Sequence, residues 1–212
     1  MGNNGNGTDA QRRNIEIIKS GVLGEISAIY VSTDRPIWPQ GLNRPEGCDP
    51  VPDTLAWDCW LGVAPERPFK KDVYHSFKWR GWFDFGTGAM GDIACHSMSF
   101  FFRALQLGEV LTAETVKTTE KFNETYPAAT TVKLTIRSAL QQNPISIYWY
   151  DGKTKPVDEV CPEAAATWGS IPLGGSLIIG DKGKYMNGAV CMKGEPKFRG
   201  FAQHDATKDI PV

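Results

Sequence analysis

The residues best suited to chemistry lie together at positions 74–98, in YHSFKWRGWFDFGTGAMGDIACHSM. Two of the chain's three histidines fall there, with Trp79, Trp82 and an arginine, Arg80, set between aromatics. Asp92 and His96 stand four residues apart, a spacing that puts both side chains on one face of a helix. A carboxylate beside an imidazole orients the ring and tunes its pKa, so such a pair can move a proton. The plainer reading is an acid that supports the first turn of a helix and pairs with a surface histidine. Trp79, Arg80 and Trp82 offer flat faces for a sugar ring and donors for its hydroxyls, and His75 stands close by in sequence. The same residue types are favoured at protein contacts. A metal site built from His75, Asp84, Asp92 and His96 lacks both His–x–His and H-E-x-x-H spacing, so no metal is expected. A serine hydrolase would need a G-x-S-x-G elbow, which is absent from the sequence.

Several elements must position these groups. A helix is expected over residues 91–107, where Ile93, Ala94, Met98, Phe101, Phe102 and Leu105 form a wide apolar stripe and Gly108 stands as a stop. Ahead of the stretch, residues 34–71 hold seven of the fourteen prolines, with Trp38, Trp57 and Trp60. That segment is too aromatic for a disordered linker, and it reads as a long ordered excursion with a short helical turn at 53–61. Further upstream, Thr8-Asp9-Ala10-Gln11 has the form of a capping box opening a helix that runs to Ser20, with Gly21 as its stop.

Strands dominate the rest. Residues 24–33 alternate Ile26, Ala28 and Tyr30 with Ser27, Ile29 and Val31. Both faces are fairly apolar, as in a central strand. Further strands are expected at 111–118, 130–137 and 144–150, and a hairpin at 176–187 turns on Gly180-Asp181-Lys182-Gly183. Short links between strands favour antiparallel pairing. The expected fold class is therefore α+β: an open, mostly antiparallel sheet with helices packed on one face. Tyr148 and Tyr150 share the other face of residues 144–150. An aromatic face with nothing in the chain to cover it suggests a subunit interface, and a covering loop is the alternative.

Bulk properties narrow the functional classes. The net charge is −1, and Lys and Arg are scattered, so there is no electrostatic footprint for nucleic acid. No run approaches the ~18 apolar residues of a membrane span. Five dispersed cysteines without a C-x-x-C argue against a disulfide framework and against structural zinc. Reduced, mostly buried thiols are expected. Gly2, Gly5 and Gly7 precede a helix, but their order is G-x-x-G-x-G and no strand leads into them, so a dinucleotide-binding loop is not expected there.

With these residues laid out, the chain resembles the Gfo/Idh/MocA oxidoreductases, and within them the bacterial branch described as NADH-dependent dehydrogenases. The segments that carry the resemblance are MGNNGNGTDAQRRNIEIIKSGVLGEI, DRPIWPQGLNRPEG, PDTLAWDCWLGVAPERPF and, most specifically, HSFKWRGWFDFGTGAMGDIACHSM. Such proteins have an N-terminal Rossmann domain that binds NAD or NADP and a C-terminal α/β domain whose open sheet commonly forms the oligomer interface. The resemblance implies that residues 1–212 are one substrate-binding and oligomerisation domain. The nucleotide-binding domain, with its Gly-rich fingerprint and catalytic lysine, is absent from this chain, which is then inactive alone. It implies that His96 is the acid/base and Asp92 its partner, that Trp79, Arg80, Trp82 and His75 meet a sugar or polyol, and that Asn3 approaches the nicotinamide. Ser99 departs from the pattern, since many relatives carry Asp at that place. Homo-oligomers through the sheet face are implied, with either a bacterial cytoplasmic or an exported location. Two further functions stay open: a non-catalytic sugar-binding or assembly module, and part of an NAD-dependent glycoside hydrolase.

Overall fold

Residues 4–201 are described by the computed structural model of the chain. A 3-10 turn at Asn4–Gly7 leads into α1 (Asp9–Lys19). Thr8 is the N-cap: its backbone is extended and its hydroxyl accepts from the Gln11 N–H at 3.4 Å. The reciprocal half of the expected capping box does not form. The Thr8 N–H donates instead to the Gly5 carbonyl, and the buried Gln11 Oε1 makes no hydrogen bond. Ile17 and Ile18 bury the inner side of the helix.

The strands are β1 (Ile26–Ser32), β2 (Leu107–Thr118), β3 (Thr130–Ser138), β4 (Ile145–Tyr150), β5 (Gly175–Gly180), β6 (Gly183–Met186), β7 (Ala189–Met192) and β8 (Arg199–Gly200). They form one eight-stranded sheet in the order β2-β3-β4-β1-β5-β6-β7-β8. The first strand is central, as its two apolar faces predicted. It runs parallel to β4 and antiparallel to β5, and the remaining neighbours pair antiparallel. The pairing of β1 with β5 shifts register between Ile26 and Ala28. An irregularity of this kind adds a residue on one strand, so the alternation changes phase. Ile26 therefore joins Ile29 and Val31 in the main core instead of siding with Ala28 and Tyr30.

The main core lies between the sheet and the helices α1, α3 (Gly88–Ser97) and α4 (Ser99–Ala104). Ile145, Ile147 and Trp149 project into it and are fully buried, as their period of two predicted. The single helix expected at 91–107 is two: α3 starts earlier, and Met98 separates it from α4. Gln106 then takes a φ of +47°, and Leu107 already opens β2. Gly108 is thus inside a strand and is not the helix stop. A short helix not expected from the sequence, α5 (Pro162–Trp168), packs Cys161 and Ala164 over Leu177, Met186 and Cys191 on the opposite face. Helices on one face therefore describe α1, α3 and α4, and α5 covers part of the other.

Beside the part that α5 covers, that second face carries Tyr148 and Tyr150, both half-buried, and Tyr30, which packs partly against the α5 cluster. The rings of Tyr30 and Tyr148 stack 4.9 Å apart, 8° from parallel. Burial, together with neighbouring tyrosines, raises the hydroxyl pKa of Tyr30 and Tyr150 above the ordinary value.

The proline-rich excursion folds as an aromatic lobe. Its short helix α2 (Trp57–Leu61) lies within the expected helical turn. Trp57, Leu61, Phe69, Tyr74 and Trp82 form the lobe's own core. Cys48, Cys59 and Cys95 are exposed and only Cys161 and Cys191 are buried, so the expectation of mostly buried thiols is corrected. Burial pushes the Cys161 thiol up to about 11, which keeps it protonated. No helix among the described residues is long and apolar enough to cross a membrane.

Candidate active site

Arg80 occupies a 3-10 turn at Lys78–Gly81, on the rim between the lobe and α3. Two glycines set this geometry. A side chain on Gly86 would collide with the backbone of Arg80, so the turn folds back tightly on the arginine. Gly88, which opens α3, has a φ of +64°, and a Cβ there would stand 2.7 Å from the Tyr126 ring. The segment around Tyr126 holds the turn from outside: its N–H donates to the Gly81 carbonyl at 3.0 Å and its hydroxyl to the Gly86 carbonyl at 3.3 Å.

The guanidinium of Arg80 lies 4.3 Å from the ring centre of Phe77 and 4.7 Å from that of Trp79, with Trp38 at 5.8 Å. Its Nη1 donates to the Phe77 carbonyl at 2.8 Å and its Nε to Asp92 Oδ1 at 3.2 Å. Flat aromatic surfaces and a guanidinium plane are thus combined on one partly open rim.

Asp92 and His96 share α3 at the expected spacing. Because the helix begins at Gly88, Asp92 sits beyond the first turn, so the expected support from the helix N-terminus does not apply. Its side chain pairs with Arg80, and no hydrogen bond or ion pair links it to His96 among the described residues. His96 is exposed in the last turn of the helix. Between the two, the Cys95 thiol donates to the Asp92 carbonyl at 3.4 Å.

The remaining expected residues divide. Trp79 is half-buried and stacks on Arg80. Trp82 is corrected to a core residue. It is 1% exposed, its ring centre is 4.8 Å from that of Tyr74, and its Nε1 donates to the Val73 carbonyl. A ring sealed in this way cannot meet a ligand. His75 is exposed and meets Trp60 edge-on at 6.2 Å, with no hydrogen bond or ion pair to Arg80, Asp92 or His96. Asn3 lies outside the described residues. Phe77 and Trp38 were missed, although the Phe-x-Trp-Arg run at 77–80 was the available signal for Phe77. Asn6 was also missed: it accepts from the Ser99 hydroxyl at 2.6 Å, joining the N-terminal turn to the start of α4.

The four residues weighed as metal ligands are dispersed in function. Asp84 pairs with Arg67, Asp92 pairs with Arg80, and His75 packs on Trp60. No group of three or more His, Cys, Asp or Glu side chains is placed to hold a metal ion among the described residues. A cavity of about 340 Å³ opens beside the first turn of α3, between Thr87, Met90 and Gly91 on one side and Tyr126 on the other. Arg80, Asp92 and His96 do not line it, and they lie instead on the open rim. A dinucleotide cradle needs a strand, a Gly-rich turn and a helix in succession. Gly5 and Gly7 lie in the 3-10 turn at Asn4–Gly7 that leads into α1.

No curated protein matches the chain. Residues 11–109 match the family model described as "Oxidoreductase family, C-terminal alpha/beta domain" of the Gfo/Idh/MocA group. The matched span runs from α1 into the start of β2 and includes Arg80, Asp92 and His96. Over those residues the match supports a C-terminal α/β domain of the Gfo/Idh/MocA oxidoreductase family.

Proposed function

We propose that this domain grips a sugar or polyol and handles its hydroxyl proton within an NAD(P)-dependent oxidoreductase. The observation that carries this reading is the rim around Arg80. Aromatic faces at Phe77 and Trp79, a guanidinium held by Asp92, and an exposed imidazole one turn further along α3 stand on neighbouring surfaces. Sugar rings stack on aromatic faces, and their hydroxyls pair with charged groups. In this reading Trp79 supports the ring, Arg80 donates to a hydroxyl, and His96 takes or returns the proton of the carbon that changes oxidation state. Asp92, now on Arg80, is near enough along the helix to turn toward the imidazole when a ligand engages the arginine.

The cofactor is NAD or NADP, held outside the residues described above. A calorimetric titration of NAD into these 212 residues is expected to give no binding heat. Tight binding would contradict that assignment. A Trp79→Ala change in a protein that also carries a nucleotide-binding domain is expected to raise KM for the sugar about tenfold, in line with loss of one stacking surface. An unchanged KM would remove Trp79 from the substrate site. The open tyrosine face of β1 and β4 suits a homo-oligomer contact, because a half-aromatic, unlidded surface gains from a second copy.

A second reading, a non-catalytic sugar-binding module, draws on the pairing of Asp92 with Arg80, which leaves His96 without a carboxylate partner among the described residues. It predicts sugar binding without turnover in the presence of NAD(P).

A further inference from the structure

We infer that Gln40 is a positioning residue: through the Trp38 ring it sets the plane in which the Arg80 guanidinium is presented. The part this plays in gripping a sugar rests on the function proposed above. Gln40 and Trp38 are 8% and 4% exposed, so neither meets a ligand itself. The Trp38 Nε1–H donates to Gln40 Oε1 at 2.9 Å, and Gln40 Nε2 donates to the Pro127 carbonyl at 2.6 Å. An indole nitrogen can only donate and a carbonyl can only accept, so these two partners admit one orientation of the amide. A buried indole N–H left without an acceptor is costly, which holds the ring to that amide.

The Trp38 ring is the sealed member of the aromatic group around Arg80. Its centre lies 5.8 Å from the guanidinium carbon, within cation–π range, and 6.1 Å from the ring centre of Phe77, which it meets edge-on. Phe77, by contrast, is 43% exposed. The backbone joins the two segments as well. A side chain on Gly81, next to Arg80, would collide with the Pro39 carbonyl oxygen and stand 2.9 Å from Gln40 Cβ, so residues 39–40 lie directly on the turn that carries the arginine. The Gly41 N–H donates to the Tyr126 carbonyl at 2.7 Å, and the Tyr126 N–H donates to the Gly81 carbonyl at 3.0 Å, which ties both segments to a third. The hydrogen bonds of Arg80 to the Phe77 carbonyl and to Asp92 use Nη1 and Nε, and Nη2 makes none among the described residues. Nη2 is the nitrogen left to donate to a ligand. The guanidinium is planar, so the rings that fix its plane also fix where that nitrogen points.

The test reads the Arg80 Nε–H resonance by NMR of the full chain, assigned by its loss in Arg80→Lys. A proton held over ring faces resonates upfield of that of a solvated arginine, and no ligand is needed to see it. Gln40→Met keeps the volume and drops both hydrogen bonds. It is expected to move the resonance at least about half-way back to the solvated position, as the Trp38 ring loses its anchor. Trp38→Phe keeps a ring and drops the N–H, and is expected to move the resonance the same way by less. Ile136→Val thins the main core, outside the aromatic lobe, and is expected to lower stability and leave the resonance in place. In a protein that carries this domain with its nucleotide-binding domain, Gln40→Met is expected to raise KM for the sugar about fivefold and to keep kcat within about twofold. A resonance that stays at the parent position in Gln40→Met overturns the proposal, and so does a moved resonance with KM unchanged. Absence of sugar turnover in the parent counts instead against the function proposed above, and the resonance still decides what holds Arg80.

Discussion

Two arginines of the aromatic lobe make the same kinds of contact and end in opposite circumstances. Arg67 pairs with Asp84 and lies over Phe85 and Tyr74 at 4.8 and 5.7 Å. Arg80 pairs with Asp92 and lies over Phe77 and Trp79 at 4.3 and 4.7 Å. The side chain of Arg67 is 1% exposed and that of Arg80 is 24% exposed. The first arginine is sealed into the lobe, where its Nε donates to the Pro65 carbonyl and its own carbonyl accepts from Trp57 Nε1. The second stands at the rim beside α3. Identical chemistry is therefore sealed into the interior in one place and left open to solvent in the other, where the proposed function puts a binding surface.

This contrast sets the order of expected effects. Trp82→Ala empties the lobe interior beneath Arg67 and should cost about 4 kcal/mol of stability by urea denaturation. Asp84→Asn comes next. It strips the carboxylate from a sealed guanidinium and should cost about 3 kcal/mol. Arg67→Met sharpens the point: the charge leaves the interior, Asp84 rehydrates at the surface, and stability should stay within about 1 kcal/mol of the parent. If Arg67→Met lost as much as Asp84→Asn, the charged interior would be a net stabiliser and the contrast would weaken. On the rim, Asp92→Asn should change stability by less than about 1 kcal/mol, because both partners reach solvent. A loss near that of Asp84→Asn would make the rim pair structural and remove the distinction between the two arginines.

The sequence carried much of this arrangement in its periodicities. The alternation at Ile145, Ile147 and Trp149 predicted a buried strand face, and two apolar faces placed β1 in the sheet centre. What stayed hidden depended on tertiary context. Residue type does not distinguish a tryptophan that lines a pocket from one that fills a core, so Trp79 and Trp82 looked alike until burial separated them. The irregularity near Ile26 flipped one side chain, and nothing local announces such a step. The helix α5 was missed although its ends carry a signal: Pro162 opens it and Gly169, in a left-handed conformation, closes it, the usual asymmetry of helix ends. The spacing of Asp92 and His96 put both on one helix face, but it could not show that Arg80, twelve residues earlier, would take the carboxylate.

The proposed proton-transfer role of His96 is the centre of the account, and one measurement addresses it directly. In a protein that carries this domain with its nucleotide-binding domain, turnover of a sugar or polyol and NAD(P) affinity are compared before and after His96→Gln. The exposed position of His96 means the fold should tolerate the change within about 0.5 kcal/mol. The account predicts a loss of at least about 100-fold in kcat, with NAD(P) affinity unchanged. Turnover equal to that of the parent would contradict it and return Asp92 and His96 to surface residues of α3.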